Sequence, residues 1–426
     1  MINFFFKKRK RIIELILSII FFPISLLIVF FIRLLRPLIL IRYAYIRTTR
    51  IGHMSQDIDF YVCARNDNLF SNKKNCIDIF YTNNQICNKF LLKLIKKKIT
   101  IFPRFLMNPI DKTNRFFDIL IDSEDIHTIG RYKKNLTSTP KPPWLNRDIY
   151  GFYDKTPPQF NFSKKEYMRG VSLLKDLGII EGDKYVLIYA RDRSYLEKSY
   201  PSSIWSHHNY RNVDIDNFIP ATQELIKQGF KVIRVGNIVE KKMNFQNQNF
   251  IDYPYTQSLS DFMDIFLIAH CNFMISTSSG LDCVAQMFRK NILFPSLCPI
   301  MDTQSSTKRH MVAYRHLIDL ETNKKLTLKD IVRRNFGYIF LDEKIQTKNI
   351  KLEAIDPNLI KEITQEMILR VNNNYIAKKE DIVLENSFFK LFNQLPKFDS
   401  AKSLYHKDIN FKISHTFLKN NEWWLN

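Results

Sequence analysis

The sequence predicts an α/β protein of two lobes behind an amino-terminal membrane-associated helix, and three observations carry that prediction. Strand-like and helix-like segments alternate from about residue 185 to residue 295, the pattern of a parallel sheet wound by crossover helices. A Pro-rich, irregular stretch containing "STPKPPW" and "KTPPQF" interrupts the chain between Asn135 and Phe162. An 18-residue run without a charge, Leu15 to Ile32, stands near the start. At 426 residues the chain is also too long for one ordinary core.

The apolar run is preceded by Lys7, Lys8, Arg9, Lys10 and Arg11 and followed by Arg33, Arg36, Arg42, Arg47 and Arg50. As a helix it would extend about 27 Å, enough for a thin bilayer. No small-residue cleavage site follows, which argues against a removed signal peptide. Cations on both flanks favour the cytoplasmic side for both ends. A helix broken at Pro23 satisfies that preference and a straight span does not. Re-entrant or interfacial attachment through residues 12–32 is therefore expected ahead of a single span, with residues 1–45 as the membrane-associated segment.

After this segment, "YIRTTRIGHMSQDIDFYVCAR" has the β-branched and aromatic content of a strand broken at Gly52. "CIDIFYTN" and "KKKITIF" read as further strands around the helix "QICNKFLLKLIKKK". Residues 46–134 form the expected first lobe, residues 135–165 the linker and residues 166–380 the second lobe. In the second lobe "KYVLIY", "KVIRV", "FMIST" and "NILF" read as strands. "DIDNFIPATQELIKQG", "SDFMDIFLIAHC" (capped by Ser260) and "SGLDCVAQMF" read as helices. Two helical patterns, "LTLKDIVRRNFGYIFL" and "DPNLIKEITQEMILRVN", are expected to cover this lobe.

The composition, 45% hydrophobic and 25% charged, describes a globular protein. Sixty-four Lys and Arg against 42 Asp and Glu give +22, which draws the chain toward anionic partners: nucleic acid, phospholipid head groups or phosphorylated small molecules. The cations are dispersed and no nucleic-acid recognition motif is present, so a nucleic-acid partner is not expected. Six cysteines without CxxC spacing read as reduced, buried thiols rather than a disulfide or zinc framework. No GxxxxGK[ST] loop or GxGxxG fingerprint occurs, which disfavours P-loop phosphoryl transfer and dinucleotide oxidoreduction. "DID" occurs at Asp57–Asp59 and Asp214–Asp216, but the first alternates inside a strand-like run and the second begins a helix. No metal or other cofactor is expected.

In an open parallel sheet, ligands sit beyond the carboxyl ends of the strands. "KYVLIY" is followed by Arg191, Asp192 and Tyr195, and "KVIRV" by Gly236. "FMIS" is followed by Thr277, Ser278, Ser279 and Gly280. Hydroxyls and a glycine leading into a helix offer backbone N–H groups and a positive helix end to a phosphate. Arg191 and Arg211 add guanidinium groups that grip phosphate oxygens as a planar fork. This rim is expected to hold a diphosphate, with Asp192 orienting Arg191 or Arg211.

"ARDRSYL", "HHNYRNVDIDNF", "GFKVIRVG", "DYPYTQSLSDFMDIFLIAHCNFMISTSSGL" and the closing "FLKNNEWWLN" resemble the block pattern of a family of bacterial glycosyltransferases associated with cell-surface polysaccharide assembly. The resemblance covers most of the chain from about Arg50 and is densest from Tyr185 to Pro295. A looser similarity links Arg191 to fucosyltransferases that use GDP-sugars, although their His-x-Arg-Arg-Gly-Asp form is absent here. The resemblance implies a GT-B-like fold: two Rossmann-like lobes, the acceptor on the first and a nucleotide-diphosphate sugar on the second. It implies metal-independent transfer to a glycan or lipid-linked acceptor at the cytoplasmic face of the bacterial inner membrane. It also brings forward His53 as the acceptor's base, His208 and Tyr210 as donor contacts, and residues 381–426 as a helical segment returning to the first lobe. A glycerol- or ribitol-phosphate transferase, and an inactive membrane-bound glycan-binding scaffold, remain the alternatives.

Overall fold

A computed structural model describes residues 20–67, 75–121, 127–129, 148, 151–199, 201, 205–303, 307–337, 348–354, 356–395 and 411–426. The chain divides into two units, Met1–Leu145 and Asn146–Asn426.

The first unit is built on a parallel sheet of β1 (Ile39–Ile46), β2 (Asn75–Thr82) and β3 (Thr100–Phe102), in that order. Helix α1 (residues 20–34) precedes β1; α2 (Ile51–Asn66) and α3 (Lys89–Lys96) are the crossovers, and α4 (Arg104–Ile121) follows β3. Successive strand residues point to opposite faces, and that alternation sorts the helices. Phe80 meets Tyr61 of α2 with ring centroids 4.7 Å apart. Its neighbour Tyr81 packs instead with Tyr43, Val29 of α1, and Met107 and Ile110 of α4. After α4 the chain returns beside β1, where Thr128 bridges Tyr43 in parallel. The unit is therefore wound outward from β1 and back to its other side.

Two expectations are corrected here. "IGHMSQDIDFYVCARN" is the helix α2 and not a strand. Its polar Ser55, Gln56, Asp57 and Asp59 are buried along with its apolar residues, so neither a period of two nor a clean helical stripe marks it. The boundary at residue 45 also fails, because β1 begins at Ile39 and Arg42 pairs with Asp78 of β2 at 2.7 and 2.8 Å. Residues 12–19 of the expected attachment segment lie outside the described residues. Among those described, no helix is long and apolar enough to cross a membrane.

The second unit carries an all-parallel sheet of seven strands. It opens with α5 (Phe152–Lys155) and α6 (Lys164–Asp176), then β4 (Tyr185–Tyr189), α7 (Ser194–Ser199), α8 (Ile219–Lys227), β5 (Lys231–Arg234) and β6 (Phe250–Asp252). Next come α9 (Asp261–His270), β7 (Phe273–Ser276), α10 (Gly280–Met287), β8 (Asn291–Leu297) and β9 (His310–Tyr314). A small antiparallel sheet of β10 (Leu317–Asp319), β11 (Lys324–Lys325) and β12 (Ile350–Leu352) surrounds α11 (Leu328–Arg333) in sequence. The chain finishes with α12 (Pro357–Val371), α13 (Lys379–Phe392), β13 (Lys412–Ile413) and α14 (His415–Asn420). The large sheet runs β13-β9-β8-β7-β4-β5-β6, with the expected strands at its centre. The four residues Tyr185 to Ile188 are buried, as a strand covered on both faces requires.

The described part of the expected linker belongs to this unit. Asp148 accepts hydrogen bonds from the backbone N–H groups of Phe152 and Tyr153, and Phe162 packs on Phe266 at 5.3 Å and Phe288 at 5.9 Å. The carboxyl-terminal segment, expected to return to the first lobe, instead adds β13 to the second unit's sheet. Its Trp424 is fully buried among Tyr314, Phe388 and Phe417, and that aromatic packing fixes its place.

Candidate functional site

In the second unit the chain starts at β4, winds outward through β5 and β6, and returns to β7 on β4's other side. The strand order reverses between β4 and β7, so the carboxyl ends of these two strands flank the crevice in which such sheets bind ligands. The predicted rim residues leave from here. The backbone N–H of Arg191 donates to Thr277 Oγ1 at 2.8 Å, which ties the β4 exit directly to the β7 exit.

The side chain of Arg191 is buried and donates through Nη1 to Asn212 Oδ1. Burial, followed by the charge of Arg211, pushes the Arg191 guanidinium down to about 10. A second cation that close adds to the cost of burying Arg191, a cost that a bound diphosphate would lower. Asn212 was missed by the sequence reading. The only signal for it was its place one residue beyond Arg211 in the loop whose Val213 N–H returns to the Arg191 carbonyl at 3.0 Å.

Across the crevice, Ser279 caps α10 and Asp282 completes a capping box, accepting from the Ser279 N–H and from Ser276 Oγ. Asp282 is fully buried, and that burial pushes its carboxyl up to about 7. It too was unassigned, although S-x-x-D before an apolar stretch is a capping signature. Ser278, between cap and strand, has φ +66°, a conformation that costs an L-residue roughly 1–2 kcal/mol. Its hydroxyl is buried without a hydrogen-bond partner. Strain and an unsatisfied donor thus coincide in one residue at the mouth of a helix.

The other predicted residues divide. Gly236, at φ +145°, is needed: a Cβ there would stand 2.8 Å from Val239 Cγ1. Asn237 beside it binds Asp264, whose carboxyl also accepts from Tyr253 Oη at 2.9 Å and is pushed up to about 6 by burial. Asp192 faces neither arginine as its main partner. It accepts from the Ser194 N–H at 2.9 Å and the Glu240 N–H at 3.0 Å, joining α7 to the loop after β5. Tyr195 lies half-buried in α7. Tyr210 is buried beneath Arg211, whose guanidinium stands 5.6 Å from its ring centroid. The side chain of His208 lies outside the described residues. The carboxylates of Asp214 and Asp216 are taken up by Lys241 at 2.7 and 2.6 Å, a use that accounts for this "DID".

In the first unit, Gly52 and His53 occupy the first turn of α2 and not a loop. They sit at the carboxyl end of β1, the strand from which that unit's sheet also reverses. His53 Nδ1 stands 3.7 Å from Asp57 Oδ2, one turn further along the helix. Asp57 is buried, its Oδ1 has no partner, and burial raises its pKa. The first "DID" is thus a pair of buried helix residues.

No protein-family model and no curated protein matches the chain. Among solved structures it is similar to the ADP-heptose LPS heptosyltransferase II of E. coli, at 14% identity over 65% of this chain and 90% of that one, TM-score 0.37. It is similar also to a family 9 glycosyl transferase from Veillonella parvula, at 10% identity over 64% and 86% of the two chains, TM-score 0.39. A third is the iron-containing dodecameric glycosyltransferase TibC of enterotoxigenic E. coli, at 11% identity over 63% of each chain, TM-score 0.34. None of the three is described as a fucosyltransferase, and the looser similarity of Arg191 to that group gains no support. The site assignment rests on the geometry of the crevice.

Proposed function

We propose that this protein is a glycosyltransferase of GT-B-like architecture that transfers a sugar from a nucleotide-diphosphate donor to a glycan or lipid-linked acceptor at the cytoplasmic face of the membrane. One observation carries the reading: at the β4/β7 reversal, the buried Arg191 with Arg211 beside it meets the start of α10, where Ser278 is strained and its buried hydroxyl lacks a partner. In this reading the acceptor oxygen attacks the anomeric carbon, the bond from that carbon to the diphosphate oxygen breaks, and the nucleoside diphosphate departs. Negative charge grows on the leaving oxygen, where fixed guanidinium and helix-end donors stabilise it most. The hydroxyl proton needs a base, and His53, 3.7 Å from Asp57, is the candidate that the resemblance brings forward.

The test is a panel of nucleotide-sugars incubated with the full chain, with nucleoside diphosphate release as readout. Turnover of at least one member, accelerated by a glycan acceptor, supports the reading. Turnover of a CDP-polyol alone would replace it with phosphopolyol transfer, and failure to bind any nucleotide would overturn it.

A further inference from the structure

We infer that the first unit is a monotopic membrane-binding body whose lipid-facing surface combines the outer face of α1 with the exposed stripe of α4. This goes beyond the proposed reaction and does not depend on it. Among the described residues no helix is long and apolar enough to cross a membrane. The inner face of α1, at Ser25 and Val29, is buried against the sheet. Its outer face, Ile20, Ile24, Leu27, Phe31 and Leu34, follows helical spacing and is 53% to 62% exposed without one polar side chain. A water-facing helix surface is ordinarily polar, so this one has a second apolar partner.

Helix α4 extends that surface. It lies beside α1, with Arg33 Nη2 donating to Asn114 Oδ1 at 2.7 Å and the Arg33 guanidinium over the Phe117 ring at 5.6 Å. Phe105 and Phe116, 64% and 50% exposed, fall on one face of α4 with the exposed Lys112 between them. Lys112 and Arg115 are the exposed cations of α4, and Arg36 is exposed in the turn after α1. Asp111, which accepts from Tyr81 Oη and Arg115, is buried. Apolar rings interleaved with exposed cations match the boundary between acyl chains and anionic head groups. A second copy docking through the same patch would place like charges together. The occupant is therefore an anionic bilayer surface.

Flotation of the full chain with mixed phosphatidylglycerol/phosphatidylcholine vesicles, and with phosphatidylcholine vesicles alone, tests this. The wild type should float with the mixed vesicles and far less with the neutral ones. F105S/F116S should lower partition into mixed vesicles by at least about tenfold, since it removes both apolar rings from the exposed stripe of α4. K112E, which reverses an exposed charge between the two rings, should lower it by about fivefold on mixed vesicles only. K112E decides the matter if F105S/F116S loses its native circular dichroism. The inference is overturned if folded variants float like the wild type. It is also overturned if the wild type is a dimer by light scattering that F105S/F116S turns into a monomer with unchanged flotation.

Discussion

The two units share one winding scheme and put it to different uses. The second unit's sheet begins at the inner strand β4 and the first unit's at β1; each adds two strands outward and then returns to the first strand's other side, through β7 in the second unit and through a single bridge at Thr128 in the first. In the second unit the central strands are buried on both faces and the reversal is lined by Arg191, Thr277 and Ser278. In the first unit β2 is half-exposed along its first five residues, and a short turn, Arg47 to Arg50, leads from β1 into α2, whose first turn holds His53. Topology makes the crevice; the residues just past the strand ends decide what enters it.

The largest way to break this comparison is to remove α1. Deleting residues 1–42 takes away Val29 from the buried cluster and half of β1, including Arg42 with its pair to Asp78. We expect the first unit to lose its fold and the second to survive, read by limited proteolysis as loss of everything before about Asn146 and persistence of a fragment from there onward. A protein with both units intact would show that α1 is a detachable anchor.

A sharper cut within the first unit is Asp57→Asn. Turnover should fall by roughly ten- to hundredfold, less than the roughly 10²–10⁴-fold that removing a general base itself costs, with donor affinity unchanged. Equal loss of both would mean that Asp57 serves the fold. In the second unit the corresponding probe is Asp282. Its raised pKa means that the protonated form favours the fold, and that this contribution is lost as pH rises from the ordinary carboxylate range toward about 7. An ionised Asp282 beneath the diphosphate also repels it. Nucleotide-sugar affinity should therefore fall by up to about tenfold as pH rises through 7, and Asp282→Asn should flatten the profile. The smallest effect is the most diagnostic in sign. Ser278→Ala removes an unsatisfied buried hydroxyl, so thermal stability of the free protein should hold or rise slightly. Donor affinity should drop by roughly 0.5–1.5 kcal/mol, the worth of one hydrogen bond. Loss of stability instead would show that the hydroxyl already has a partner.

Legibility in the sequence divides along the same line. β4, β5 and β7 are covered strands that read as apolar runs, and the charge of Arg191 marks where the first of them ends. The helix start at Ser279 and Gly280 was legible from its small polar residues. α2 was not, because buried Ser55, Gln56, Asp57 and Asp59 erase the contrast between its faces. β13 has two residues and pairs with Met311 and Val312 from about one hundred positions away, a contact with no local signature. The roles of Asn212 and Asp282 depend on partners that only the folded loops bring near, and so does the strain at Ser278.

The central claim is that Arg191 and the start of α10 together hold a donor diphosphate. Calorimetric titration of UDP, GDP, ADP and CDP, with their sugars, into the wild type and Arg191→Lys tests it most directly. The substitution keeps the charge and removes the planar fork. The account predicts that one nucleotide series binds the wild type and binds the variant about 1.5–3 kcal/mol more weakly, with the melting temperature of the free protein unchanged. Equal affinities in the two folded proteins would contradict it.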